Sequence, residues 1–218
     1  MSDQRSPRPF PLVPIAVGMI IVLGLVAVLL SRGGDDDGSG VEAGSSVTGS
    51  IRETRPVSVA GAALPPHGEG VDAAVGLREP EVKGAAFDGA GVAISNDGTP
   101  KVLMFLAHWC PHCQKEVPVI ADWIEQNGPP EAVALVAIAT ATVAERPNYP
   151  PSAWLEREGW QPVVLADDEQ GSAATAYGLT AFPFFVAVDA QGKVVERVSG
   201  ELTVQQIEDL VARARGVG

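Results

Sequence analysis

The chemistry of this chain starts from Cys110-Pro111-His112-Cys113, which holds both of its two cysteines. A step of three residues is nearly one helical turn, so a helix begun here places both sulfurs on one face, within reach of a disulfide. Cys110 would then sit at the helix N-terminus, where free N–H groups and the positive end of the dipole favour a thiolate. Pro111 suits the first helical turn, where a missing N–H costs nothing. His112 adds a polarisable and sometimes charged neighbour that should favour the thiolate further. The chemistry implied is thiol–disulfide exchange: Cys110 attacks and Cys113 resolves the mixed disulfide.

Other readings of the pair compete with this one. Half of a zinc site would need a second pair, which is missing, or nitrogens from His108 and His112, which Pro111 and the crowded spacing oppose. An inert crosslink over three residues would remove almost no loop entropy. Two further possibilities stay open: a copper-handling module using the cysteines and a histidine, and a chaperone in which redox chemistry is incidental.

The elements that must position the pair are legible on both sides of it. Lys101–Ala107 (KVLMFLA) is a continuous apolar run, as in a strand buried on both faces. Pro111–Asn127 reads as a helix stopped by Gly128 and Pro129. Ala132–Thr140 reads as a second buried strand, Ser152–Glu158 as a helix, Pro162–Ala166 as a short strand, and Glu169–Tyr177 as a helix closed by Gly178. Upstream, Glu81–Phe87 and Val92–Ile94 suit a hairpin. Downstream, Pro183–Asp189 and Lys193–Ser199 suit another. Thr203 can cap a last amphipathic helix carrying Val204, Ile207, Leu210 and Val211. The pattern predicts an α/β domain with a mixed central sheet: early strands parallel, final hairpin antiparallel, helices on its flanks.

With these residues in place, the region 76–218 resembles the thioredoxin-like proteins, and most of all the membrane-anchored TlpA/ResA-like branch. Trp109-Cys110 followed by Cys113 matches the active-site pattern, and Glu116 and Pro118 fit the branch's continuation. Tyr177-Gly178-Leu179, Phe182-Pro183 before a strand, and the Asp189–Gly192 turn match the second half. The resemblance implies a thioredoxin-like fold and a thiol–disulfide oxidoreductase whose only redox group is the Cys110–Cys113 disulfide, with no other cofactor. It implies that Pro183 is a cis-proline facing the cysteines. A proline there would leave the Phe182 backbone open to an extended substrate. Trp109 either stacks on substrates or shields the disulfide. Where thioredoxins carry a buried acid, six residues before the first cysteine, this chain has Met104 as core filler. Glu116 or a water would have to accept the proton instead. His108 is expected at the exposed rim of the site. The Pro-His dipeptide also occurs in strongly oxidising proteins of the DsbA type, but these carry a large helical insertion, and here only 21 residues separate Thr140 from Pro162.

The N-terminal third reads differently. Residues 1–9 are polar, and Phe10–Leu30 is 21 residues without a charge, long enough to cross a bilayer. The run is long for a signal-peptide core and Val28-Leu29-Leu30 is a poor cleavage site, so an uncleaved, single-pass anchor is expected over a cleaved leader. Lys and Arg number two before the run and one just after, a slight bias to an N-terminus inside. Residues 31–75 hold nine glycines, and no aromatic residue lies between Phe10 and Phe87. That composition predicts a flexible tether, with the folded head starting near Gly76 on the extracytoplasmic side. The net charge of −12 excludes a nucleic-acid binder. The expected partners are cysteine-containing exported proteins and a membrane electron donor or acceptor.

Overall fold

The computed structural model describes residues 50–216. The N-terminal segment 1–9, the Phe10–Leu30 run and residues 31–49 lie outside the described residues. Among those described, no helix is long and apolar enough to cross a membrane.

Among the described residues, eight strands and four helices follow one another as β1 (Ser58–Ala60), β2 (Glu81–Ala85), β3 (Gly91–Ile94), β4 (Lys101–Leu106), α1 (Pro111–Asn127), β5 (Ala134–Ala139), α2 (Pro151–Arg157), β6 (Val163–Ala166), α3 (Ser172–Ala176), β7 (Phe184–Val188), β8 (Val194–Ser199) and α4 (Val204–Arg215). The sheet runs β1-β2-β6-β5-β4-β7-β8, with β3 paired to β2. β4, β5 and β6 are parallel; β7 is antiparallel to β4, and β8 to β7. The mixed sheet is the one expected, since right-handed crossovers through α1 and α2 force parallel neighbours and the short Asp189–Gly192 turn forces an antiparallel one.

β4 is buried at every residue and sits inside the sheet, so its apolar run serves both faces. Leu103 and Phe105 turn to one core with Ile138, Leu165, Phe184 and Tyr177. Val102 and Met104 turn to the other, with Ile120 and Ile124 of α1 and Ile207, Leu210 and Val211 of α4. Alternation along one strand thus anchors a helix layer on each side. Met104 is core filler, as expected. Thr203 closes a capping box with Gln206, each side chain bonded to the other's backbone N–H.

The structure corrects the boundary of the head. Residues 50–75, expected as the end of a flexible tether, are folded onto the domain. β1 pairs with β2, Leu64 is buried, and the Leu64 and His67 N–H groups donate to the carbonyls of Ala176 and Gly178. Arg197, with a fully buried side chain, donates to the Asp72 carboxylate and to the Pro65 and Tyr177 carbonyls. His67 lies against Phe184 and bonds the Arg197 carbonyl. Gly178 is needed here: its φ is +71°, and a Cβ would collide with the Pro65 carbonyl oxygen. This segment is held by backbone hydrogen bonds and one buried ion pair, so it needs no aromatic residue, and composition alone misread it.

Candidate active site

Cys110, Pro111 and Cys113 lie where β4 ends and α1 begins. Cys110 is the N-cap residue, with extended backbone at φ −74° and ψ 121°, and Pro111 opens the helix. Both cysteines are free thiols. Cys113 lies one turn in, wholly buried beside Leu106, Val117 and Trp154, and the Ala107 N–H reaches its Sγ at 3.5 Å. Burial pushes the Cys113 thiol far above its ordinary range, and the nearby Cys110 and Glu116 push the same way. Cys110, at the start of the helix, is sheltered as well, with 7% of its surface exposed. Trp109 and Phe182 pack against the same cluster and cover it.

The opposite wall is the Phe182-Pro183 peptide, which is cis as expected. Pro183 is buried and Phe182 half-buried. The Cys110 Sγ points at the Phe182 carbonyl oxygen, 4.0 Å away. Trp109 stands edge-on to Phe182, ring centroids 6.0 Å apart, and its indole N–H donates to the Ala141 carbonyl at 2.8 Å. The residues singled out as substrate-facing, Trp109, Phe182 and Pro183, thus form one rim around Cys110.

One histidine has a partner that the sequence did not show, and another falls elsewhere than expected. His112 does not cap the thiol alone: its Nδ1 lies 2.6 Å from Glu201 Oε1, and Lys115 shares that carboxylate at 3.3 Å. The hydrogen bond from His112, and secondarily Lys115, hold the Glu201 carboxyl below its usual range. Any positive charge on His112 is therefore partly balanced before it reaches Cys110. His108, expected at an exposed rim, is 1% exposed. Its Nδ1 faces the Pro147 carbonyl at 2.7 Å and its Nε2 accepts the Val143 N–H at 3.1 Å. That arrangement uses both ring nitrogens of a neutral imidazole on loop backbone, leaving none for a metal shared with the sulfurs. Among the described residues, no group of three or more His, Cys, Asp or Glu side chains is placed to hold a metal ion.

Glu116 is the acid beneath the pair. It is 2% exposed; its Oε2 accepts the Leu202 N–H at 2.9 Å, while its buried Oε1 has no partner. Burial pushes its carboxyl up to about 7. It lies close enough to Cys113 to oppose that thiol's ionisation. One buried group that can take a proton near neutrality thus stands by one buried thiol that must lose it. Sequence spacing placed Glu116 on α1 but could not show its burial, because the Leu202 segment that covers it lies 86 residues on.

The comparisons agree with this geometry. A family model described as Redoxin matches residues 74–211, more than half of the chain. The sporulation thiol-disulfide oxidoreductase A of Bacillus subtilis is 23% identical over 56% of this chain and 73% of its own length. The thiol-disulfide oxidoreductase ResA of Bacillus thuringiensis is 26% identical over 58% of this chain and 65% of its own, just under two thirds. A solved thiol:disulfide interchange protein of the thioredoxin family from Chlorobium tepidum superposes with a TM-score of 0.53 and 22% identity, over 68% of this chain and all of that one. The chain belongs to the Redoxin family, as an oxidoreductase of the TlpA/ResA-like, thioredoxin-fold kind.

Proposed function

We propose that the protein is an extracytoplasmic thiol–disulfide oxidoreductase that exchanges disulfides with exported, cysteine-containing proteins through Cys110 and Cys113. The observation that carries this is the asymmetry of the two sulfurs: Cys110 at a rim facing the Phe182 carbonyl, Cys113 wholly buried by Glu116's side of the helix.

In the reducing direction, the Cys110 thiolate attacks one sulfur of a partner disulfide. The partner's S–S bond breaks, a mixed disulfide forms at Cys110, and the partner's other sulfur leaves as a thiolate that takes up a proton. Cys113 then gives its proton to Glu116 and attacks the Cys110 sulfur. The Cys110–Cys113 bond forms, the second partner sulfur leaves, and two electrons have passed to the partner. The oxidising direction is the same sequence reversed. Burial of Cys113 keeps it protonated until the mixed disulfide draws it in, so the adduct forms at one sulfur only. Pro183 and Phe182 form the wall along which an extended partner segment lies. His112, with Glu201, adjusts the charge at the rim. The dithiol supplies the redox chemistry without another cofactor.

The length and lack of charge of Phe10–Leu30 support a single-pass membrane anchor with the domain outside the cytoplasm, near a membrane electron donor or acceptor. A cysteine-free periplasmic reporter fused after Gly218 should be active; a mature protein starting near residue 32 would restore the cleaved leader. Exchange is tested by following a scrambled disulfide substrate with the wild-type chain and with Cys110→Ala. Equal rates would end this reading.

A further inference from the structure

The connection between β5 and α2 is held against the active-site turn more firmly than a surface loop requires. Trp109 donates to Ala141 at its start. His108 bonds both Val143 and Pro147 in its middle, and the Asn148 amide reaches the His108 carbonyl at 3.4 Å. Tyr149 stands edge-on to the His108 ring, 6.0 Å away. These contacts come from the two residues just before Cys110, so the loop is registered to the nucleophile itself. What the loop presents there is Arg146. Its guanidinium carbon sits 5.3 Å over the Trp109 ring. Arg146 is exposed, and no carboxylate among the described residues pairs with it. Stacking on an aromatic face leaves the edge of the guanidinium free for a carboxylate, which it can bind through two hydrogen bonds.

We propose that residues 141–150 form the second wall of the substrate groove, that Arg146 selects cysteine segments with an acidic residue near the cysteine, and that His108 is the positioning residue that holds this wall. The proposal rests on the exchange reading above and names its substrate class. An extended segment lying along Phe182 advances about 3.3 Å per residue. With Trp109 spanning the distance from Phe182 to Arg146, a side chain within a few positions of the reacting cysteine meets the guanidinium. In a chain of net charge −12, an unpaired arginine at the mouth also offsets the general repulsion of acidic partners.

The test uses two symmetric disulfide-linked dimers of one short peptide, identical except for Glu or Lys flanking the single cysteine. Peptide thiol release by the reduced full-length chain is measured. The wild type should favour the Glu dimer in kcat/KM on the order of threefold to tenfold, less at high salt. Arg146→Glu should invert the order. His108→Phe, which keeps a ring but loses both hydrogen bonds, should erase the preference by raising KM for the Glu dimer with little change in kcat. His108→Gln, with one donor and one acceptor, should restore part of it. A wild-type ratio of one, or a ratio unmoved by Arg146→Glu, overturns the proposal while exchange itself stands. Failure to react with either dimer, with Cys110→Ala no different, overturns the exchange reading and this one with it.

Discussion

Cys110 and Cys113 stand three residues apart in one buried cluster, yet the outer one keeps 7% of its surface and the inner one none. The outer sulfur faces a rim of Trp109, Phe182 and Pro183, near the charges of His112, Lys115 and Glu201. The inner sulfur lies wholly inside, against Leu106, Val117 and Trp154, with Glu116 near enough to oppose its ionisation. The same helical turn thus holds one thiol at a rim that carries exposed, salt-screened charges and one governed by burial. Exposed charges shift an equilibrium modestly, because water and ions screen them; a buried group moves far, because its charged form loses hydration. The outer half should therefore be adjustable and the inner half decisive.

The largest effect expected from this contrast is on trapping. Cys110→Ala should drop exchange to the uncatalysed rate, a loss of several orders of magnitude. Cys113→Ala should still react but accumulate covalent adducts on non-reducing gels. Adducts of equal abundance in both variants would mean that the sulfurs are equally accessible.

Glu116 comes next. Glu116→Gln keeps the shape and removes the proton acceptor, and should slow resolution on the order of a hundredfold at neutral pH. In the wild type the resolution rate should rise as pH passes through about 7, where this carboxyl ionises, and the variant should lack that rise. Adduct lifetime across pH 5 to 9, by rapid quench, checks both.

The same residue carries a stability signature of the buried half. Its carboxyl is raised from an ordinary 4.5 to about 7 in the fold, so the folded state holds a proton that the unfolded chain has released between those values. Stability from this group is full below the lower value and lost as pH rises through the upper one, by about 3 kcal/mol at most. Urea denaturation at pH 4 and pH 8 should show Glu116→Gln gaining on the wild type as pH rises. A pH-independent difference would place Glu116 in water.

The smallest effects belong to the outer rim. His112→Gly removes a group that favours the thiolate and should make the couple more reducing. Glu201→Gln frees His112 and Lys115 of their counter-charge and should make it more oxidising. Each shift should fall below the tenfold in equilibrium constant that about 30 mV represents, because the groups are exposed. Equilibration with glutathione reads both; shifts of the same sign would dissolve the charge-balance argument.

Much of this architecture was readable from local pattern. The α1 limits follow from Pro111 and from Gly128, the β4 run from its unbroken apolar character, and the last helix from the Thr203 cap. The dithiol was readable for the same reason, since a strand, two cysteines one turn apart and a helix are contiguous. Residues 50–75 were not, because much of what holds them lies far along the chain, such as Arg197 for Asp72 and Ala176 for Leu64. His108 was misplaced at the rim because its partners, Val143 and Pro147, belong to a loop with no sequence signature of docking.

By itself, then, the sequence determined which residues carry the dithiol and which elements hold it, because spacing, periodicity and caps act within a turn or two of chain. Only the tertiary structure decided the surroundings of each of these groups. Burial of Cys113 and Glu116, the pairing of His112 with Glu201, and the clamping of the 141–150 loop by His108 all come from segments brought together across the sheet. Desolvation and charge balance depend on what lies in space around a group, and neighbours in space are set by the fold rather than by the order of residues.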